Sequence, residues 1–124
     1  MDHKRKRMPS LKQIRAHWAP YLVGNKGFDS KEEAMETGIC FACGMWFSGL
    51  ERAHINPLLE GGSNDVSNLH ALCRTCHKDS EGRTGDEYFK WFNQRTLVDA
   101  VCSMAARSGA NLHSLMMESS EETR

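Results

Sequence analysis

The sequence lacks an excess of charge of either sign, because 16 lysines and arginines balance 16 aspartates and glutamates in its 124 residues. It also lacks any apolar run long enough to span a membrane. The N-terminus reads KRKRMPS, a basic and polar stretch, so no signal peptide is expected. These absences favour one small domain, with helical extensions at most, that works in a reducing cytoplasm.

Large aliphatic residues are scarce in the central third of the chain. A module with so thin a core commonly relies on a bound metal. Four of the five cysteines form two Cys-x-x-Cys pairs, Cys40/Cys43 and Cys73/Cys76, with 29 residues between the pairs. This pattern predicts a structural zinc ion held by four thiolates, with no coordination position left for chemistry. The fifth, Cys102, lies in a helical pattern and is predicted to be a small buried apolar residue.

Zero net charge hides a basic N-terminal arm. Residues 1–17 carry six basic side chains against Asp2 alone, which gives a local net charge of +5. The arm could neutralise phosphates of a nucleic acid, or it could be a solvated tail that aids solubility. The first interpretation makes four residues candidate DNA contacts, namely Lys4, Arg5, Lys6 and Arg7.

Capping and breaking signals predict two helices before the first cysteine pair. Ser10 begins one helix, and Pro20 is expected to stop it. Ser30 and Glu33 form a capping-box pattern for a second, short helix that ends at Gly38.

The second half of the chain alternates short strands and helices. Strands are predicted at Leu50–Ile55 and Leu69–Leu72, followed by a helix across Cys76 to about Glu81. Further helices are expected from Thr84, over 97–106 and over 112–116. The helix over 97–106 is predicted to face inward with Leu97, Val98, Val101, Met104 and Ala105.

These signals divide the chain into five segments. They are a basic disordered arm, an N-terminal helical extension, a central core, a C-terminal helical extension and a frayed tail, at 1–9, 10–39, 40–82, 83–117 and 118–124.

Three stretches of the central core, LERAHINP, GGSNDVSNLHALC and CRTCHKDSEG, together resemble the HNH endonuclease family, in its four-cysteine, zinc-bound subgroup of phage or bacterial type. The resemblance covers residues 40–82, about a third of the chain. It implies a small α+β fold, in which a ββα-metal core is stabilised by the zinc site and flanked by N- and C-terminal helices. It also implies an enzyme that hydrolyses phosphodiester bonds in DNA with a divalent cation.

The resemblance carries roles onto particular residues. His54 matches the general base that takes a proton from the attacking water, a task that suits an imidazole near neutral pH. Asn68 matches the asparagine that fixes the loop and orients His54 by hydrogen bonding. His77 matches a ligand of the catalytic cation. Glu81, four residues on, would lie on the same helical face as a further ligand, or it is simply a solvated helix residue.

One position departs from the family pattern. Many members carry Asp or His just before the general base as a metal ligand, whereas this chain has Ala53. Glu51 lies two residues earlier on the same strand face and could substitute, or it could pair with a nearby cation. The candidates for such pairing are also candidate phosphate contacts, namely Arg52, Arg74 and Lys78. Imidazole and carboxylate ligands suit Mg²⁺, Mn²⁺ or Ni²⁺.

Three functions remain open from the sequence. The first is a small endonuclease acting on double-stranded DNA, in the cytoplasm or at the nucleoid of a bacterial or phage-infected cell. The second is a non-catalytic zinc-finger module that binds nucleic acid or protein through a decayed HNH site, which the alanine at position 53 favours. The third is an accessory protein of a phage or mobile element that cuts only alongside a partner. A homodimer formed by the C-terminal helices is compatible with the first and third.

Overall fold

The computed structural model describes residues 7–108 of the chain. In that part the fold is small and α+β, as predicted, with five α-helices and one two-stranded antiparallel sheet. The helices, in chain order, are α1 Leu11–Asn25, α2 Lys31–Ala34, α3 Arg74–Ser80, α4 Gly85–Gln94 and α5 Leu97–Arg107. The predicted helix over 112–116, most of the basic arm and the tail lie outside the described residues.

The two strands and the helix after them form the predicted ββα core. Strand β1, Glu51–His54, pairs with β2, Leu69–Leu72, in a register that places Glu51 opposite Leu72 and His54 opposite Leu69. All four residues of β2 are buried, and α3 begins two residues after the strand ends. Between the strands the chain makes two short 3-10 turns, Leu58–Glu60 and Val66–Asn68. The sheet and α3 therefore frame one loop of the core.

The prediction that Pro20 stops the first helix is wrong. Helix α1 starts at a capping box between Ser10 and Gln13 and continues past Pro20 to Asn25. A proline inside a helix costs about 3 kcal/mol, because it removes one hydrogen bond and crowds the preceding turn. The turns beyond the proline bring Leu22 into the core with no exposed surface. Burial of a leucine side chain contributes about 2 to 3 kcal/mol, which offsets most of that cost.

Helix α2 is shorter than predicted. The Ser30 side chain accepts a hydrogen bond from the backbone amide of Glu33, but the helix ends at Ala34 rather than at Gly38. Gly38 instead lies in the loop leading to the first cysteine pair, with φ of 96°. A Cβ there would come within 2.7 Å of the Phe47 carbonyl oxygen, so glycine is needed for this close approach.

One hydrophobic core joins the flanking helices to the ββα unit, and it is built around aromatic rings. His70 on β2 has no exposed surface and packs edge-on against Trp18 at 4.5 Å between ring centroids. Its ring also lies against Phe92 and Tyr88, and its Nδ1 is 2.6 Å from the Tyr88 hydroxyl oxygen. The core therefore continues across the predicted segment boundaries at residues 39 and 82.

Helix α5 faces the core differently from the prediction. Its buried residues are Ala100 and Ala105, whereas Leu97, Val98 and Val101 are exposed. Cys102, predicted to be buried, is exposed. The helix approaches α3 through small side chains and an ion pair. Ala105 is buried and Met104 packs partly buried against the core, as predicted, whereas Leu97, Val98 and Val101 remain on the outer face. None of the helices within residues 7–108 is both long and apolar enough to cross a membrane.

Candidate metal centre and active-site cleft

The four paired cysteines lie together at the junction of the first loop, β2 and α3. Their sulfur atoms are all within 4.8 Å of one another, and all four side chains are buried and free of disulfides. A tetrahedral zinc ion with Zn–S bonds of about 2.3 Å needs sulfurs about 3.8 Å apart, so the cluster fits this ion. The Cys73 amide donates to Cys40 Sγ at 3.3 Å, and the Cys76 amide donates to Cys73 Sγ at 3.4 Å. Such bonds favour thiolates, which are the form that binds zinc.

The side chains of the four paired cysteines interact with one another through sulfur–sulfur hydrogen bonds. The pKa of the Cys43 thiol is lowered to about 7, and the main cause is its hydrogen bond with Cys40. The hydrogen bonds of Cys76 with the other three, together with burial, raise its pKa. A divalent cation bound among the four sulfurs would supply the positive charge that favours the thiolate form of all four cysteines.

Three buried or half-buried cations, Arg15, Lys26 and Arg95, interact with the cysteine cluster, and the sequence analysis did not predict this role. Four thiolates around one Zn²⁺ leave a net charge of about −2. Burial works to lower the pKa of Arg95, but its hydrogen bond and charge interaction with Cys76 raise it, as does its ion pair with Asp79. Lys26 and Arg15 are desolvated, which lowers the pKa of each, while charge interactions with the cysteines oppose that effect.

Each of these cations is held by the flanking helices. Lys26 Nζ, just after α1, donates to the carbonyl oxygens of Phe92 at 2.6 Å and Arg95 at 2.9 Å. Arg15 on α1 donates to the Ala34 carbonyl at 3.1 Å and to the Ile39 carbonyl, and lies over the Phe41 ring. Arg15 was counted in the basic arm from its sequence position, but it is buried and unavailable to phosphate.

Arg95 also belongs to an ion-pair network between α3 and α5. The Asp79 carboxylate accepts from Arg95 Nη2 at 2.6 Å and from Arg107 Nη2 at 2.5 Å. Burial works to raise the pKa of Asp79, but hydrogen bonds with Ser103, Arg107 and Arg95 outweigh it and lower the pKa. A single acidic residue on α3 therefore links the cysteine centre to the C-terminal helix.

A cleft of about 440 Å³ opens beside α3 and brings the candidate catalytic residues together. His54, at the end of β1, and His77, on α3, both line it. Its remaining walls come from the first 3-10 turn and the end of α3, namely Pro57, Leu58, Leu59, Ser80, Glu81, Gly82 and Arg83. Two imidazoles, one carboxylate and one guanidinium therefore share one concave surface, a set able to hold a cation and a phosphate.

Glu81 reaches this cleft by a different route from the prediction. Helix α3 ends at Ser80, and Glu81 has an extended ψ of 138° rather than a helical one. The helical-turn argument for placing Glu81 beside His77 is therefore wrong, because the glycine at position 82, with φ of 85°, ends the helix first. Glu81 nevertheless lines the same cleft as His77.

The side chain that bonds His54 is Asn64, which was not among the predicted site residues. His54 Nε2 and Asn64 Oδ1 are 2.7 Å apart. Asn68 was expected to fix the loop and also to bond His54. It fixes the loop as predicted, because its side chain accepts from the Asn56 amide and donates to the Asn56 and Ser63 carbonyls, but the bond to His54 comes from Asn64. The motif GGSND carried the signal, because an asparagine in a glycine-rich loop facing the base is the natural second candidate.

Glu51 pairs with His77 rather than with an arginine or lysine. Glu51 Oε1 lies 2.7 Å from His77 Nδ1, across the gap between β1 and α3. Both side chains are partly exposed, so the pair contributes little to stability, but it fixes the orientation of the ring. Ala53, on the same face of β1, is buried with 1% of its surface exposed.

The candidate phosphate contacts are dispersed. Arg74 and Lys78 are exposed on α3, while Arg52 donates to the Pro9 carbonyl at 3.1 Å and so anchors the N-terminal segment. Arg7 is exposed and lines a second cavity, beside α1. Arg83 lies in the cleft itself and was missed by the sequence analysis. The remaining arm residues, Lys4, Arg5 and Lys6, lie outside the described part of the chain.

Comparison with known proteins gives one match. Residues 40–83 match the family described as HNH endonuclease. No curated protein and no solved structure matches the chain. The matched segment contains both cysteine pairs, the two strands, α3 and the histidines of the cleft, and it indicates a nuclease-type or nucleic-acid-related function. Residues 40–83 therefore match an HNH endonuclease domain, and their four cysteines are placed to bind one metal ion, which is consistent with the zinc-bound HNH subgroup.

Proposed function

We propose that this protein is a metal-dependent DNA endonuclease whose reaction takes place in the cleft between β1 and α3. The observation that carries the proposal is the presence of His54, His77, Glu81 and Arg83 on one concave surface of an HNH domain. A base, two cation ligands and a phosphate-binding guanidinium are the groups that phosphodiester hydrolysis needs.

In this mechanism His54 removes a proton from the water that attacks the scissile phosphate. Arg83 contacts the phosphate oxygens through its fork of N–H donors. His77 and Glu81 would hold a divalent cation, which offsets negative charge on the phosphate and the leaving oxygen. Zinc at the four cysteines takes no part in these steps, because the thiolates fill its coordination sphere.

Glu51 acts on His77 in this proposal, instead of replacing the ligand missing at position 53. Its bond to His77 Nδ1 leaves Nε2 as the nitrogen that can bind a cation. An imidazole ligand commonly donates its other N–H to a carboxylate, which fixes the ring and raises its basicity as a ligand. Glu51 therefore orients the ligand, and the cation site has two protein ligands.

A site with two protein ligands suits a cation that keeps much of its water. Within residues 7–108, the only group of three or more histidine, cysteine or acidic side chains close enough to share an ion is the cysteine cluster. Mg²⁺ is often held by one or two protein ligands together with substrate phosphate. Mg²⁺ or Mn²⁺ is therefore the expected cation, and Ni²⁺ remains a candidate because imidazole suits it.

The substrate is proposed to be double-stranded DNA, contacted mainly through its backbone. Arg74 and Lys78 on α3 and the basic arm are placed to add phosphate contacts, which orient the duplex without reading its sequence. A location in the cytoplasm or at the nucleoid of a bacterial or phage-infected cell follows from this substrate. The reduced cysteines fit such a compartment.

A homodimer, or a complex with an accessory protein, is proposed through α5. Its exposed residues Leu97, Val98 and Val101 form an apolar face at the C-terminal end of the described chain. A dimer would bring two clefts to one duplex and turn single-strand nicks into double-strand breaks. Sedimentation analysis of the purified protein distinguishes the monomer from the dimer.

A second candidate function is a binding module without catalysis. It is favoured by Ala53, whose buried methyl group occupies the position where many HNH domains have a metal ligand. Such a module would bind DNA with strong salt dependence and would not cut it.

The two functions are separated by incubating zinc-loaded protein with supercoiled plasmid. An endonuclease nicks or linearises the plasmid when Mg²⁺, Mn²⁺ or Ni²⁺ is added, and stops when a chelator of that cation is present. Tight, salt-dependent binding without cleavage under any of these cations would instead identify the binding module.

A further inference from the structure

The contact between His54 and Asn64 has a consequence for the chemistry of the histidine ring. Asn64 Oδ1 lies 2.7 Å from His54 Nε2, well inside hydrogen-bonding distance. A carboxamide oxygen has no proton to donate and can only accept. A proton on Nε2 satisfies this contact, and in that neutral tautomer Nδ1 is the nitrogen with the free lone pair.

The loop that carries Asn64 is held in one conformation by the asparagine at position 68. The Asn68 side chain donates a hydrogen bond of 2.8 Å to the carbonyl oxygen of Ser63, the residue directly before Asn64. It also accepts from the Asn56 amide and donates to the Asn56 carbonyl, both at 2.9 Å. Because Asn68 is 8% exposed, these bonds are shielded from competing water.

Close backbone packing supports the same loop. A Cβ added at Gly62 would lie 1.8 Å from the Asn56 carbonyl oxygen, so no other residue fits without a shift of the chain. The Gly62 amide donates to the Pro57 carbonyl at 2.9 Å, which closes the turn next to the cleft. The backbone that leads into Asn64 is therefore held against the residues that follow β1, the strand that ends at His54.

We propose that Asn64 is the positioning residue of His54, which sets the orientation of its ring and selects the tautomer with the proton on Nε2. Asn68 acts one step further away, by holding the Ser63 carbonyl and so the backbone at Asn64. The kinetic consequence rests on the proposed endonuclease function, since Nδ1 would then be the atom that takes a proton from water. The tautomer itself does not depend on that function.

The tautomer is measured by long-range proton–nitrogen NMR on zinc-loaded protein, at about pH 8, well above the usual imidazole pKa of about 6.5. In the unmodified protein the His54 ring is expected to have a protonated Nε2 and an unprotonated Nδ1. In Asn64→Leu, which has a similar size and no acceptor, the ring should show a mixture of both tautomers. In Asn64→Asp, which keeps an acceptor oxygen, the Nε2–H form should persist.

Asn25→Ala is the matched control, because the Asn25 amide bonds only locally, to the Tyr21 carbonyl at the end of α1. It should leave the His54 signals unchanged. A protonated Nδ1 in the unmodified protein would overturn the proposal, as would identical His54 signals in the unmodified protein and Asn64→Leu. If the leucine variant does not fold, loss of the Nε2–H form in Asn64→Asp, which retains the acceptor, would also overturn the proposal.

Cleavage kinetics supply the second readout. Misplacement of a catalytic group by about 1 Å can cost about 100-fold in rate, so kcat of Asn64→Leu should fall by about that factor while KM changes little. Asn64→Asp should recover most of kcat, which a purely structural role would not require. Equal losses in the aspartate and leucine variants would contradict the positioning role. A complete lack of cleavage by the unmodified protein would count against the endonuclease instead, and the NMR result would stand separately.

Discussion

Glu51 and His77 are joined by a 2.7 Å hydrogen bond that links β1 to α3 at the edge of the cleft. Glu51, which the sequence analysis considered as a replacement metal ligand, is thus bonded to His77, the proposed cation ligand. The bond connects the strand that ends at His54, the proposed general base, to the helix that would hold the cation. Its two partners are 26 residues apart in the chain, so the contact depends on the pairing of the strands.

Removal of this bond should weaken cation binding more than catalysis at saturating cation. In Glu51→Ala, the Mn²⁺ concentration for half-maximal cleavage should rise by about 10- to 100-fold, the range for loss of such an outer partner of a metal ligand. Glu51→Gln keeps an acceptor oxygen, so its Mn²⁺ concentration for half-maximal cleavage should rise less. Glu32→Ala, an exposed glutamate on α2, is the control. An unchanged Mn²⁺ requirement in Glu51→Ala would exclude the orienting role.

Loss of one cysteine should unfold the protein. In Cys73→Ser the cluster loses one of the four thiolates that would hold zinc. Because binding of a structural zinc ion is coupled to folding, we expect the cooperative thermal transition to disappear. Circular dichroism with zinc quantification checks this, and Cys102→Ser, an exposed cysteine outside the cluster, is the matched control. A folded Cys73→Ser protein without zinc would contradict the structural role of the metal.

Arg95 should strengthen zinc retention through its charge. Arg95→Met preserves most of the side-chain length and removes the guanidinium that interacts with Cys76 and Asp79. The thiolate cluster should then release zinc to a competing chelator faster than in the unmodified protein. Arg107→Met removes the other partner of Asp79 without touching the cysteines, so it separates the two effects. Equal zinc release from both variants would contradict a direct effect of the Arg95 charge on the cysteine cluster. It would indicate that Arg95 acts only through its ion pair with Asp79.

His70 should make folding sensitive to acid. Burial, with further contributions from Lys26 and His17, lowers the pKa of His70 to about 3, whereas an unfolded chain has a histidine pKa of about 6.5. The unfolded state therefore binds more protons between these values, and stability falls as the pH drops below about 6.5. The free energy of unfolding should fall by at most about 1.4 kcal/mol for each pH unit below about 6.5.

The measurement is urea unfolding at several pH values for the unmodified protein and for His70→Phe combined with Tyr88→Phe. The double variant removes the titrating ring and also its hydroxyl partner, which would otherwise be left unpaired. Acid also protonates the cysteines in both proteins, so the difference between the two pH profiles isolates His70. Parallel profiles would show that His70 does not contribute.

The features that depend on motif spacing, namely the second strand and the cysteine cluster, were predicted correctly from the sequence. Strand β2 has the predicted bounds, and the two cysteine pairs meet as expected, because each tight turn and its thiolates are set by local sequence. The course of the chain through Pro20 was not predictable in this way. It depends on tertiary packing of Leu22, which local breaker rules do not include.

Contacts between segments that are distant in the chain could not be predicted from the sequence either. Arg15 reads as part of a basic arm until α1 is seen to lie against the loop at Ile39. Val98 and Cys102 fit an inward helical face until small alanines prove to be the contact. Asn64 and Asn68 lie in one loop with similar chemistry, and only the fold shows which of them reaches His54. In each case the deciding interaction joins elements that are separate in the chain.

The central claim is that His54 is the general base of a metal-dependent nuclease, and a single comparison tests it most directly. Cleavage of supercoiled plasmid at saturating Mg²⁺ or Mn²⁺ is measured for zinc-loaded unmodified protein, His54→Ala and His17→Ala, an exposed histidine on α1 outside the cleft. We predict a rate loss of about 100- to 10,000-fold in His54→Ala, the usual contribution of general-base catalysis, and no comparable loss in His17→Ala. Cleavage by His54→Ala at the rate of the unmodified protein would contradict the claim.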